Sequence, residues 1–209
     1  VTVNNTGAIT TTGAIATTGA PANGNIALTA TGGTMTLGNA VTAGGAGTVT
    51  LSATGATSDI LFNATTSSGS GNIGATAGRN VTLNAGSVTT TGNVSLTGTA
   101  GEVSEAGAGL ISGALLTTSS AAGTLLNNAN TVTSFSGTNT AGDIQLTNTA
   151  AALTVAGISQ TGGGNVTLTN SVDILLPDNA ISPGAGAVTL QSSGGNILDG
   201  GTKSPANIT

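Results

Sequence analysis

A five-residue pattern, Gly-x-[Val/Ile]-x-Leu, recurs six times and constrains the fold of this chain more than any other feature. The copies occupy residues 24–28, 47–51, 92–96, 142–146, 164–168 and 186–190. Successive leucines within the two clearest runs are spaced by 51 − 28 = 23, 168 − 146 = 22 and 190 − 168 = 22 residues. Because such a repeat is too short for an independent domain, it predicts one coil of a solenoid.

The two longer gaps between copies fit the same period. The first gap, 96 − 51 = 45 residues, contains a weaker copy at residues 71–75. The second gap, 146 − 96 = 50 residues, has room for one further copy in a degraded form. We therefore expect all the copies to stack as equivalent positions of successive coils.

Alternating apolar residues within each copy predict a β-strand. A second apolar patch follows seven to ten residues later, and a weaker third patch follows in some repeats. The second patches include Met35/Leu37, Ile60/Phe62 and Val81/Leu83, and the third include Val41 and Val88. The pattern predicts an all-β fold, a right-handed parallel β-helix with two to three short strands per coil. Some nine coils would form a rod of about 45 Å.

We interpret residues 1–209 as a single elongated domain and expect it to be a segment of a longer chain. Residues 99–141 are the exception to the regular pattern, because paired leucines there obscure the alternation of inward and outward positions. The sequence leaves two alternatives open for this stretch. It forms either a coil of different cross-section or a loop that is extruded from the coil.

Composition argues against several classes of function. The chain has no Cys, His, Trp or Tyr, two Phe and a net charge of −5. Disulfides and thiol or imidazole catalysis are excluded. Nucleic-acid binding is disfavoured because there is no basic patch, and membrane insertion because no apolar run approaches about 20 residues. Glu102 and Glu105, or Asp173 and Asp178, form no convincing catalytic or metal site. We expect no enzyme activity, no metal and no cofactor.

Stacking would place polar residues in a ladder on the outside of the motif strands. This candidate outward ladder comprises Thr29, Thr50, Ser52, Ser95, Thr97, Thr147, Thr167, Thr169 and Thr189. Rows of hydroxyls on a flat face are used by ice-binding solenoids. Here Ala27, Gln145 and Gln191 interrupt the row, and threonine also suits exposed strands for structural reasons.

A second ladder is expected at the corners. It comprises Gly24, Gly47, Gly92, Gly142, Gly164, Gly186, Asn25, Asn93 and Asn165. We expect the glycines to supply a positive φ. Asparagine side chains hydrogen-bond to the local backbone in turns, and stacked amides also bond along a rod. Both roles are structural.

Three stretches carry a family resemblance. They are residues 105–112, residues 125–132, and residues 142–149 continuing through 153–158. Their style resembles the repetitive shaft of filamentous-haemagglutinin-like exoproteins, and the likeness extends over nearly the whole chain. The resemblance implies a right-handed parallel β-helix. It also implies secretion across the outer membrane of Gram-negative bacteria by a partner transporter, and a role in adhesion or biofilm formation.

These observations lead to two functional hypotheses. The first is a structural rod segment of a large secreted or cell-surface bacterial adhesin, whose partners would be a glycan or a cell-surface receptor and the secretion transporter. The alternative is an extracellular filament or matrix protein that self-associates end to end through its open coils. An ice-binding solenoid that uses its Thr/Ser face is a weaker third hypothesis.

Overall fold

Repeated short alternations of apolar and polar residues form a stack of β-strands in the computed structural model, which describes residues 1–17, 24–150 and 152–201. The other residues of the predicted domain 1–209 lie outside this described part. Within it, all regular structure is β-strand. The strands are β1 (Thr2–Thr10), β2 (Ile15–Thr17), β3 (Ile26–Leu37), β4 (Val41–Ala43), β5 (Val49–Thr54), β6 (Ile60–Phe62), β7 (Thr66–Ser68), β8 (Ile73–Ala77), β9 (Val81–Leu83), β10 (Val88–Thr89), β11 (Val94–Gly98), β12 (Glu102–Glu105), β13 (Ile111–Ser120), β14 (Gly123–Asn139), β15 (Ile144–Asn148), β16 (Ala152–Gln160), β17 (Val166–Asn170), β18 (Asp173–Leu176), β19 (Ile181–Ser182), β20 (Val188–Ser192) and β21 (Ile197–Asp199).

The strands pair in parallel, each with its equivalent in the next coil, and so form a solenoid with three sides. Side A contains the first halves of β1 and β3, then β5, β8, β11, the ends of β13, β14 and β16, and β19. Side B contains the ends of β1 and β3, then β6, β9, β12, the start of β14, β15, β17 and β20. Side C contains β2, β4, β7, β10, the start of β13 and the middle of β14. In the last coils the start of β16, β18 and β21 form this third side. The predicted parallel β-helix is confirmed, with about 9 turns of about 22 residues.

The core consists of apolar columns that run along the rod inside the three sides. On side A, Ile26, Val49, Ile73, Val94, Leu116 and Phe135 stack in this order and are all buried. On side B, Met35, Ile60, Val81 and Val103 form a column beside a second one of Leu37, Phe62 and Leu83. Full burial of each such side chain contributes about 1.5–3 kcal/mol. A single coil gains this only through its neighbours, because it is too thin to enclose a core.

The motif copies do not all stack in one column, and that expectation is wrong. The copies at 24–28, 47–51 and 92–96, with the weaker one at 71–75, lie on side A. The copies that begin at Gly142, Gly164 and Gly186 lie on side B, where their strands β15, β17 and β20 pair with one another. The motif therefore marks a strand that follows a corner, and the corner it marks changes along the chain.

The change of side explains the length of the second long gap. After Leu96, the chain returns to side A at Thr118 and again at Gly137, before it reaches Leu146 on side B. The gap of 146 − 96 = 50 residues thus contains two coils and one additional side. The equivalents of Leu96 in these coils are polar or lack a side chain, so the pattern Gly-x-[Val/Ile]-x-Leu does not detect them.

Residues 99–141 remain within the stack of coils. Two long strands dominate this stretch, β13 with 10 residues and β14 with 17. Each long strand continues around a corner, because β13 pairs first with β10 on side C and then with β11 on side A. The paired leucines alternate as in other strands, with Leu116 and Leu126 buried and Leu115 and Leu125 partly exposed.

The corner glycines are required by close approach of neighbouring coils, whereas a positive φ was expected. Of the six motif glycines only Gly142 has a positive φ, at 70°. A Cβ atom added at Gly47, Gly164 or Gly186 would overlap the carbonyl oxygen of the motif glycine one coil before. At Gly92 the added atom would lie 2.6 Å from the carbonyl oxygen of Ser70. Successive coils therefore touch at these corners through their backbones.

We expect Gly164→Ala to destabilise the fold by about 1–3 kcal/mol, since the methyl group would overlap the Gly142 carbonyl and force the two coils apart. Chemical denaturation of purified protein would measure the change. Gly13→Ala is the matched control, because its added Cβ meets no atom within 4 Å and its φ is not positive. Equal stability of the two variants would contradict the close-approach explanation.

Candidate functional site

An unbroken column of hydroxyl side chains runs along the outside of side A. Residues that alternate with the buried core positions point outward, and successive coils place one of them in the same position. We call this the hydroxyl column, and its eight members are Thr29, Ser52, Thr76, Thr97, Ser119, Thr138, Ser159 and Ser182. Asn4 continues the column at the first coil. Neighbouring members are about 4.8 Å apart along the rod.

A second outward column lies two residues earlier on the same strands. It comprises Ala27, Thr50, Gly74, Ser95, Thr117 and Ser136. The two columns are about 6.6 Å apart. Side A therefore presents rows of hydroxyls in two dimensions. Ala27 and Gly74 interrupt the second column, and Gly157, which pairs with Ser136 in the next coil, ends it.

The predicted outward ladder is divided between two sides of the rod. Its members Thr29, Thr50, Ser52, Ser95 and Thr97 lie on side A. Its members Thr147, Thr167, Thr169 and Thr189 lie on side B, together with Gln145 and Gln191. The two glutamines consequently do not interrupt the hydroxyl column, although both were expected to break the row.

The five-residue motif does not identify five members of the hydroxyl column, which are Thr76, Ser119, Thr138, Ser159 and Ser182. Thr76 directly follows the weak copy at residues 71–75, and the others lie in coils where side A no longer carries the motif. The coil period relates these residues to the members that the motif does identify. Ser119, for example, lies 119 − 97 = 22 residues after Thr97 and pairs with it.

Two open grooves flank the hydroxyl column. The groove on the side of the C-to-A corner has a volume of about 390 Å³ and is lined by Thr48, Val49, Thr50, Asn72, Ile73, Gly74, Asn93, Val94, Ser95, Leu115 and Thr117. We call it the side A groove. The groove at the A-to-B corner, of about 360 Å³, is lined by Ala53, Thr54, Gly55, Ala56, Thr76, Gly78, Thr99 and Ala100. No charged side chain lines either groove.

Corner amides connect successive coils and form one wall of the side A groove. The Oδ1 atom of Asn25 accepts a hydrogen bond from the backbone N–H of Thr48 at 2.9 Å, and Asn72 accepts one from Asn93 at 3.0 Å. Asn165 does the same for Ala187 at 3.0 Å on side B. These bonds satisfy backbone N–H groups where the strand ladder is interrupted. The amides therefore bond along the rod, and the asparagines that carry them are exposed.

Glu105 occupies a position that apolar residues hold in preceding coils. It pairs with Leu83, which pairs with Phe62. Its Oε2 atom accepts hydrogen bonds from the backbone N–H of Asn128 at 2.8 Å and from Asn130 Nδ2 at 3.3 Å. Its Oε1 atom is buried and has no hydrogen-bond partner within the described part of the chain. Burial raises the pKa of the Glu105 carboxyl to about 7.

The remaining acidic groups do not converge. Asp59 forms an ion pair with Arg79, with an Oδ2–Nη2 distance of 2.5 Å, and the hydrogen bond from Arg79 lowers the pKa of the Asp59 carboxyl. Across residues 1–17, 24–150 and 152–201, no cluster of three or more Asp, Glu, His or Cys residues is arranged to hold a metal ion. The same residues contain no helix of the length and apolarity needed to cross a membrane.

Comparisons of the chain with protein-family models, with curated proteins and with solved structures gave no match.

The burial of Glu105 predicts a pH-dependent stability. The folded chain holds the Glu105 proton up to about pH 7, and the unfolded chain holds it only up to about pH 4.5. Protonated Glu105 therefore makes its full contribution to the free energy of unfolding below about pH 4.5. The contribution is lost as the pH rises to about 7. We expect the denaturation midpoint of the wild type to fall across this interval, and that of Glu105→Gln to fall less.

Glu102→Gln is the matched control, because it removes a carboxyl group from the same strand. Denaturation curves recorded at several pH values would compare the three proteins. An unchanged pH dependence in Glu105→Gln would show that this carboxyl group is not responsible.

Proposed function

We propose that this chain is a rod segment of a large secreted or cell-surface bacterial adhesin, which holds a binding region away from the cell. The observation that carries the proposal is the continuous parallel pairing of strands from β1 to β21, which gives a single elongated stack of coils. A stack of this kind keeps its two ends a fixed distance apart, because every coil is fixed to the next by backbone hydrogen bonds and by a shared core.

The sequence resemblance to filamentous-haemagglutinin-like shafts supports the extracellular setting of this proposal. The composition is consistent with it, since the chain contains no cysteine and few charged residues. Secretion by a partner transporter and a role in adhesion or biofilm formation are parts of the same proposal. They rest on that resemblance, whereas the rod itself rests on the fold.

Surface labelling of intact source cells tests the extracellular role. We expect an antibody raised against the purified chain to label unpermeabilised cells, and external protease to remove the label. A denaturing gel probed with the same antibody should show a polypeptide much larger than 19.4 kDa. An antigen that is found only after cell lysis would overturn the proposal. Fibres that grow from the purified chain with increasing concentration would favour the alternative of an end-to-end filament.

The hydroxyl column favours a second candidate function, the binding of ice. Ice-binding solenoids present regular hydroxyl rows on a flat β-face, and this column continues through eight consecutive coils without a charged or bulky residue. Parallel pairing fixes the spacing of its members to that of the backbone. The regular spacing of the hydroxyl groups along the rod therefore follows from the backbone pairing alone.

Thermal hysteresis of the purified chain tests ice binding. If the hydroxyl column orders water, the wild type should show hysteresis and Thr76→Lys should abolish it, because a long charged side chain then stands in the centre of the column. Thr82→Lys places the same change on side B, where Thr82 pairs with Leu61 and Ser104, and should leave hysteresis intact. A wild type without hysteresis would eliminate this candidate.

A further inference from the structure

One of the residues that line the side A groove, Gly74, has no side chain. Gly74 lies in the second outward column between Thr50 and Ser95, which pair with it from the two adjacent coils. A Cβ atom added at Gly74 would meet no atom within 4 Å. The position is therefore an open recess in the row, with the backbone of Gly74 as its floor.

Several polar atoms around this recess have no hydrogen-bond partner among the residues that the structure describes. The hydroxyls of Thr50 and Ser95 form no hydrogen bond with any residue that the structure describes. The corner amides Asn72 and Asn93 use Oδ1 to accept backbone N–H groups, and their Nδ2 groups remain free to donate. All four side chains are exposed. The groove consequently offers amide donors along one wall and hydroxyls, which both donate and accept, along the other.

The charge and shape of the groove restrict its ligand. Its lining contains no cationic or anionic side chain, so a charged ligand would leave its charge without a partner. The partly exposed Leu115 adds an apolar contact at one end. The groove crosses four coils, from Thr48 to Thr117, and is therefore about 14 Å long and parallel to the rod axis.

We propose that the side A groove binds a linear, uncharged oligosaccharide that lies parallel to the rod axis. The hydroxyls of such a ligand would pair with the free groups of Thr50, Asn72, Asn93 and Ser95, and its C–H surface would contact Leu115 and the floor at Gly74. The inference does not depend on the cellular location of the rod. It also differs from ice binding, which requires the flat hydroxyl column and makes no use of a recess.

A variant that fills the recess provides the test. Gly74→Thr adds a side chain where space is open, in a strand whose equivalent positions carry Thr50 and Ser95, so the fold should be retained. Gly13→Thr is the control, because it makes the same change at another position where an added Cβ meets no atom within 4 Å. The probe is an array of immobilised neutral linear oligosaccharides alongside sialylated and sulfated ones, followed by titration with the best ligand.

We expect the wild type and Gly13→Thr to bind neutral linear oligosaccharides, and Gly74→Thr to bind at least about tenfold more weakly. The double variant Thr50→Ala/Ser95→Ala, which removes hydroxyls without filling the recess, should also bind more weakly. Three results would each overturn the proposal: no binding of a neutral oligosaccharide by the wild type, binding restricted to sialylated or sulfated glycans, or undiminished binding by Gly74→Thr. Surface labelling of cells has no bearing on these outcomes, so this inference and the rod proposal fail separately.

Discussion

Parallel backbone pairing between successive coils is the interaction on which every other feature of this structure depends. Each strand hydrogen-bonds to its equivalent one coil away, so each side chain stacks directly on a side chain of the same orientation. An inward column is then buried along its whole length, as from Ile26 to Phe135, and an outward column is displayed at the spacing of the backbone. Core and surface are thus two consequences of one register.

The corners between the strands are where the close stacking of coils restricts the sequence most. Strands that pair at the backbone spacing bring the turns between them equally close, and a side chain at the glycine position of a turn would separate the coils. Glycine at positions such as Gly142 and Gly164 removes that obstacle. The next residue, Asp143 or Asn165, accepts a hydrogen bond from the backbone N–H group of the equivalent residue in the following coil. The repeated Gly-Asn pair therefore reflects two requirements of contact between coils, close approach and a satisfied backbone donor.

Sequence periodicity was sufficient to predict the fold class, the length of a coil and most of the core. The apolar pairs Met35/Leu37 and Ile60/Phe62 lie on side B as equivalent positions, and the period predicted their relation to the motif. Periodicity did not reveal which side of the rod a copy occupies. A motif records a local corner, and the complete motif occurs first at the start of side A and later at the start of side B. Only pairing through Leu116 and Phe135, where the motif is absent, shows this shift.

The candidate site was harder to predict for the same reason. The hydroxyl column continues through the coils whose interior becomes polar. There the buried Ser120 and Asn139 hydrogen-bond with each other, and the buried Thr124 hydrogen-bonds with Ser120, Asn139 and Thr118. On the same strands, Ser119 and Thr138 keep their outward positions in the column. Inward and outward residues alternate, so the interior is free to change its chemistry while the register holds the exterior constant. The apolar pattern in the sequence ends where the interior becomes polar, whereas the outward hydroxyls continue unchanged. For this reason the apolar pattern does not predict the later members of the hydroxyl column.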